Sequence, residues 1–135
     1  MTKIVNLSSL AANAEAEAFG KLLDGGFIDI FDGEMPPDAD VPVNGQRRGV
    51  TLRLGAPAFG AAASGIVVAS NIEPGVADAA IKATWARLFR ADHATAVMDV
   101  TVGERDAAIV LPSIDIPRGI TVSCSFFSHS VPRKG

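Results

Sequence analysis

The stretch Ala79–Val102, AAIKATWARLFRADHATAVMDVTV, constrains this chain more than any other. Two runs too long for loops flank a polar turn at Ala91-Asp92-His93. In the second run Ala96, Met98, Val100 and Val102 point one way, and Val97, Asp99 and Thr101 the other. A period of two over this length marks a half-buried strand, because successive side chains leave opposite faces of the pleat. The first run places Trp85, the only tryptophan, on one face with Ile81, Ala83 and Phe89. That face also carries Arg87, which breaks the apolar pattern. Together the runs predict a long antiparallel hairpin whose apolar face needs a covering layer.

The remaining punctuation extends this to an all-β reading. Strands are predicted at Phe27–Asp32, Val50–Leu54, Ile66–Ser70, Asp106–Leu111 and Ile120–His129, separated by Gly, Pro and Asp turns. With the hairpin they make about seven short strands, the pattern of an antiparallel β-sandwich of Ig-like or jelly-roll-like type. One domain spans 1–135, with the sandwich over 27–130, and 135 residues suffice to bury a sizeable core. A single helix is predicted over 6–25, capped by Ser8 or Ser9 and ended by Gly25-Gly26. Leu10, Ala14, Ala18 and Leu22 form its apolar stripe, with Phe19 beside them, and Glu15 and Glu17 face water. Residues 34–48, with Pro36, Pro37 and Pro42, form a long loop of the kind that is usually functional or disordered. The small-residue segment Gly55–Gly65 is either flexible or a place where backbones approach closely. Residues 131–135 trail off polar.

Composition removes several functions. Net charge is −3, and Arg47-Arg48 and Arg133-Lys134 are the longest basic blocks, so the basic stripe that nucleic-acid binding requires is missing. No apolar run approaches the roughly 18 residues needed to cross a bilayer. The N-terminus has no h-region of a secretory signal, which predicts synthesis and folding in the cytoplasm. The lone Cys124 forms no intramolecular disulfide and reads as a small buried hydrophobe in the run Ile120, Val122, Cys124, Phe126.

Chemistry is equally sparse. His93 and His129 each lack a second His or Cys at ligand spacing, so no metal is predicted. Glu34, Asp38 and Asp40 do not have the spacing of a calcium loop, and Pro36-Pro37 stiffens the chain between them. Gly55–Gly65 lacks the Lys and Ser/Thr of a phosphate loop. Ser123 and Ser125 have no nucleophile elbow around them. No catalytic residue, cofactor or metal is therefore assigned.

Five segments in order, LAANAEAEAFGKLLDGGFIDIFDGEMP, LRLGAPAFGAAASGIVVASNI, ATWARLF, TAVMDVTVG and VSCSFFSHSVPRKG, resemble a family of small tailed-bacteriophage and prophage proteins. Its members read as a helix, LLDGG, a strand ending in YDG and a Pro-rich loop. Then follow GxPAFGAAxxGV, ATWxRxx…DG, xDxxVG and VSxxSFxxxVP. The resemblance covers nearly the whole chain and implies a virion structural protein without enzymatic activity. This chain departs from the pattern at Ala91-Asp92-His93-Ala94, where relatives have Asp-Gly, and at Glu104-Arg105-Asp106, which is more charged. The first departure predicts a longer or differently shaped hairpin turn.

Three roles are then weighed. The leading expectation is a capsid-associated decoration or cement protein that contacts the major capsid protein or other virion proteins. It would be located in the virion after synthesis in the host cytoplasm, with homo-oligomerisation open. The second is a tail or head–tail connector component. The third is a host-surface carbohydrate-binding module of the tail tip. The expected contact residues are Pro36, Pro37, Asp38, Asp40 and Arg47 in the loop, with Leu10 and Phe19 on the helix.

Overall fold

A computed structural model describes residues 6–131; the basic pair and polar tail at 132–135 and the first five residues lie outside that range. The chain is mostly β, with one N-terminal helix. In order it runs α1 (Ser9–Leu22), β1 (Phe27–Phe31), β2 (Arg48–Leu54), β3 (Ile66–Val68), β4 (Ile72–Glu73), β5 (Gly75–Val76) and β6 (Ile81–Lys82). Then follow β7 (Trp85–Phe89), β8 (Ala96–Gly103), β9 (Ile109–Val110), β10 (Asp115–Ile116), β11 (Thr121–Val122) and β12 (Phe126–Ser130). Eight strands form one sheet in the order β3-β12-β9-β8-β7-β1-β2-β4, and the ladders β10-β6 and β11-β5 stand apart.

The two edge strands of that sheet, β3 and β4, are neighbours in sequence, linked by residues 69–71. From Val68 to Ile72 the chain spans at most about 14 Å. Laid flat, eight strands would hold their edges roughly 34 Å apart, at about 4.8 Å per spacing. The sheet is therefore rolled. The small-residue segment closes the roll: the Gly55 amide donates to the Asn71 carbonyl, Ser70 to Ala58, and Gly60 to Val68. A Cβ on Gly55 would sit 2.5 Å from the Asn71 Cβ, so Gly55–Gly65 is a close approach of backbones.

The roll encloses one core. Ile28, Ile30, Val50, Leu52, Ala86, Leu88 and Val100 from one side meet Val67, Ile109, Leu111 and Phe127 from the other. Helix α1 completes it with Ala16 and Leu23. Ser8 caps the helix, its hydroxyl accepting from the Ala11 amide.

The structure corrects four expectations. The described residues hold twelve strands: the runs 79–90 and 120–129 each break in two, and β4, β5 and β10 form in stretches read as turns or connectors. The main sheet is mixed, since β8 and β9 run parallel. Helix α1 buries Ala12, Ala16, Gly20 and then Leu23, whereas Leu10 is 82% and Leu22 40% exposed. The smallest side chains turn inward because the helix lies close to the closing segment: a Cβ on Gly20 would meet Phe59 Cδ2 at 3.1 Å. Finally, β11 pairs with β5 and β12 with β9 and β3, so the apolar alternation slips across 123–125. Phe127 enters the core, Phe126 stays 50% exposed, and Cys124 is half-buried.

Replacing Ala16 by Leu should overpack the helix seat and cost about 1–3 kcal/mol in urea unfolding. The same change at exposed Ala14 should cost less than about 0.5 kcal/mol. Equal losses at both positions would refute this orientation of the helix.

Candidate interaction surface

The hairpin face that carries Trp85 is not the core face. Register pairs Trp85 with Phe31 and Thr101, Arg87 with Asp29 and Asp99, and Phe89 with Phe27. Alternate residues Ala86 and Leu88, paired with Ile30 and Ile28, point into the roll. Trp85, Arg87, Phe89, Phe27, Asp29 and Phe31 therefore line the outer face. Trp85, Phe31, Arg87 and Asp29 are nonetheless almost fully buried. The apparent flaw in the alternation, Arg87 beside Trp85, belongs to this second, covered layer.

A charged row crosses the layer. Arg87 Nε and Nη2 donate to Asp99 Oδ1 and Oδ2 at 2.7 and 3.0 Å, a bidentate pair exposed by only 5% and 4%. The bond to Asp99 holds the Arg87 pKa above its ordinary value, against the desolvation that opposes it. Asp29 accepts from Thr51 Oγ1 at 2.6 Å, and Thr51 Oγ1 in turn accepts from Arg48 Nη1 at 3.0 Å. Arg48 continues outward to Asp78 at 2.6 Å. Aromatic rows flank the charges: Phe31 stacks on Trp85 at 4.6 Å, and Phe27 stacks on His93 at 4.2 Å. Among the described residues no buried side-chain N or O lacks a hydrogen-bond partner.

The hairpin turn differs from a two-residue Asp-Gly turn. It spans residues 90–95, with His93 taking φ +55°. Asp92 accepts from the Thr95 hydroxyl and from the Thr95 and Ala94 amides, which hold its carboxyl down to about 2. This turn returns His93 Nε2 to Asp29, 2.9 and 3.0 Å from its two oxygens. Sequence reasoning gave no site role to His93, Asp29, Arg87 or Asp99. The available signal was one ionisable residue at mid-strand in FIDIF, TWARLF and VMDVTV, with signs suited to cross-strand pairing.

Loop 34–48 covers part of this layer. Its neck is closed by Asp32 and Arg47: the Asp32 amide donates to the Arg47 carbonyl, and the Arg47 amide to Asp32 Oδ1. From the sheet, Trp85 Nε1 donates to the Asp32 carbonyl at 2.9 Å, Thr84 Oγ1 to Gly33 at 2.6 Å, and Arg87 Nη2 to Asp38 at 3.4 Å. Pro37, Asp38, Asp40 and Arg47 are exposed, as a contact surface needs. Pro36 is buried and is withdrawn from the contact set, because the loop turns it inward. On the helix, Leu10 is free to make contacts, but Phe19 is half-buried and stacked on His129 at 3.9 Å. The helix completes the core and the loop covers the opposite face of β1 and β7, so the two sets of contact residues do not converge.

A third exposed surface went unread. On β3 and β12, Ile66, Val68 and Phe126 are 42%, 44% and 50% exposed on one face, with half-buried Val110 opposite Phe126 on β9. Among the described residues no group of three or more His, Cys, Asp or Glu gathers to hold a metal, and no helix is long and apolar enough to cross a membrane. Comparison with protein-family models, curated proteins and solved structures gives no match to this chain.

Removing one member of the Arg87–Asp99 pair should cost about 3–5 kcal/mol, since it leaves a buried charge alone. Arg87→Met should show this loss in urea unfolding, and adding Asp99→Leu should restore much of it. A double variant as unstable as the sum of the single ones would show that the pair is not coupled. A second expectation concerns His129, whose pKa burial lowers from its ordinary value of 6.5. The unfolded chain then takes the proton first, so His129 should reduce stability as pH falls from 6.5 towards the lower folded value. His129→Phe, which keeps an aromatic ring on Phe19, should remove that part of the pH dependence. Identical pH–stability curves would rule it out.

Proposed function

We propose that this chain is a non-enzymatic structural protein of a tailed-bacteriophage virion that acts through protein–protein contact, as a capsid-associated decoration or cement protein. The resemblance of the five ordered segments, from LLDGG to VSCSFF, supports the family assignment. The observation that carries the contact role is the exposed apolar face of Ile66, Val68 and Phe126. Apolar side chains grouped on one face mark interaction sites more often than singly scattered ones. Leu10, Pro37, Asp38, Asp40 and Arg47 offer further contacts from the helix and the loop.

The proposal extends to architecture. The rolled sheet reads as a jelly-roll-like sandwich, with β4-β2-β1-β7-β8 as one layer and β9-β12-β3 as the other. Support for two layers comes from the shared core, in which Leu52 and Leu88 meet Ile109 and Phe127.

A tail or head–tail connector would use the same surfaces in far fewer copies. A sugar-binding role draws no support from Trp85, which is 1% exposed and offers no stacking face in this state. Quantitative mass spectrometry of purified particles tests the assignment. A copy number comparable to that of the major capsid protein is expected. A handful of copies per particle would move the protein to the neck or tail and end the decoration reading.

A further inference from the structure

Residues 33–46 form a flap over the outer face of the main sheet, and the way they are fastened is asymmetric. The neck is closed on itself, through Asp32 and Arg47 and through Gln46 Nε2, which donates to the Glu34 carbonyl at 2.6 Å. The bonds from the sheet all end on backbone carbonyls: Trp85 holds that of Asp32 at the neck, Thr84 that of Gly33 where the flap begins, and Arg87 that of Asp38. Near the tip the only one is the 3.4 Å bond from Arg87 to Asp38. The remaining bonds of the flap are internal: Asp40 and Val41 amides to Asp38, and the Asn44 amide to Gln46 Oε1.

Lifting such a flap is inexpensive for three reasons. Backbone carbonyls released to water are solvated at once, so no buried acceptor is orphaned. Arg87 keeps its bidentate partner Asp99 whether the flap is down or up, so opening isolates no buried charge. Gly33 and Gly45, at φ +75° and +92°, stand at the two ends and can turn without a side-chain clash. What opening exposes is the apolar area of Trp85, Phe31 and the flap's own buried Pro36, and this sets its cost.

We propose that residues 33–46 are a hinged strap that opens locally while the rolled sheet stays folded, uncovering the Phe31–Trp85 stack and the Arg87–Asp99 pair. Pro37, Asp38 and Asp40 ride on the strap, so the contacts proposed for them shift with its position. The mechanics of the strap are independent of the virion reading. The uncovered surface carries Trp85 and Arg87, two of the residue types enriched at the energetic centres of protein interfaces.

The chain has one tryptophan, so its indole N–H, bonded to the Asp32 carbonyl where the strap begins, gives a single reporter that is released when the Asp32–Gly33 peptide turns. Native-state hydrogen exchange of the unmodified protein in sub-denaturing urea compares this proton with the core-strand amides of Ile28 and Leu88. The indole proton is expected to exchange more than roughly tenfold faster than those amides, with a smaller urea slope, as local opening requires. Thr84→Val removes one fastening and should speed indole exchange by roughly threefold to tenfold without changing Ile28 or Leu88. Indole exchange with the rate and urea slope of the core amides would overturn the proposal. So would a Thr84→Val effect shared equally by indole and core amides.

Discussion

Closure of the eight-stranded sheet through residues 69–71 is the constraint on which the rest depends. Because β3 and β4 are consecutive, they can be opposite edges only if the sheet curls until those edges nearly meet. Eight strands so curled leave an interior just wide enough for side chains to fill. At Gly55 the seam leaves no room for a side chain, since a Cβ there would sit 2.5 Å from the Asn71 Cβ. Phe59 is buried beneath α1 and tilted on Phe127 at 5.5 Å, joining the closing segment to the last strand. The helix can lie on this seam only through Ala12, Ala16 and Gly20.

The rolled sheet also accounts for the second layer. Strands β2, β1, β7 and β8 bury one face in the core, leaving the outer face open to water. There the sequence places large aromatics with Asp29, Arg87 and Asp99, and with Arg48 and Arg53 on β2. Exposed, Phe31 and Trp85 would leave a broad apolar patch beside an ion pair weakened by solvent. The loop from Asp32 to Arg47 removes that patch from water and tightens the pair by lowering the local dielectric. The bidentate geometry of Arg87 is what makes the arrangement tolerable, since one carboxylate satisfies its strongest donors without help from the loop.

Much of this was legible in the chain, though unevenly. The hairpin around residues 90–95, the alternation of Val100 and Val102 against Asp99, and the N-terminal helix follow from local periodicity, which the structure keeps. The buried face of α1 was not legible, because a helix of Ala, Gly and scattered Leu carries too little contrast to orient it. The weak stripe Leu10–Leu22 then wins on hydropathy and loses on fit: the seat against Phe59 admits only small residues. The break at Ser123–Ser125 was hidden for a related reason. Ile120, Val122, Cys124 and Phe126 alternate as a single strand would, and only the partners, β5 for one half and β9 for the other, split them. The parallel pairing of β8 with β9 is likewise a property of topology, invisible to any window of sequence.

The outer layer shows why a mid-strand charge should be read as a question about cover. Asp29, Arg87 and Asp99 each interrupt an apolar strand, and each looks like an ordinary solvent-facing residue when its strand is read alone. Taken together, they occupy adjacent positions across three neighbouring strands, where opposite charges stabilise pairing and like charges oppose it. The order Asp, Arg, Asp fits that rule, and the bulky aromatics on either side cannot remain beside water over such an area. A cover is then required, and two connections that start and end on that layer supply it: the β7–β8 turn, which lays His93 on Phe27 and Asp29, and the long loop between β1 and β2. The loop's length, which by itself reads as function or disorder, has a structural cause: it must cross from β1 over β7 and return to β2.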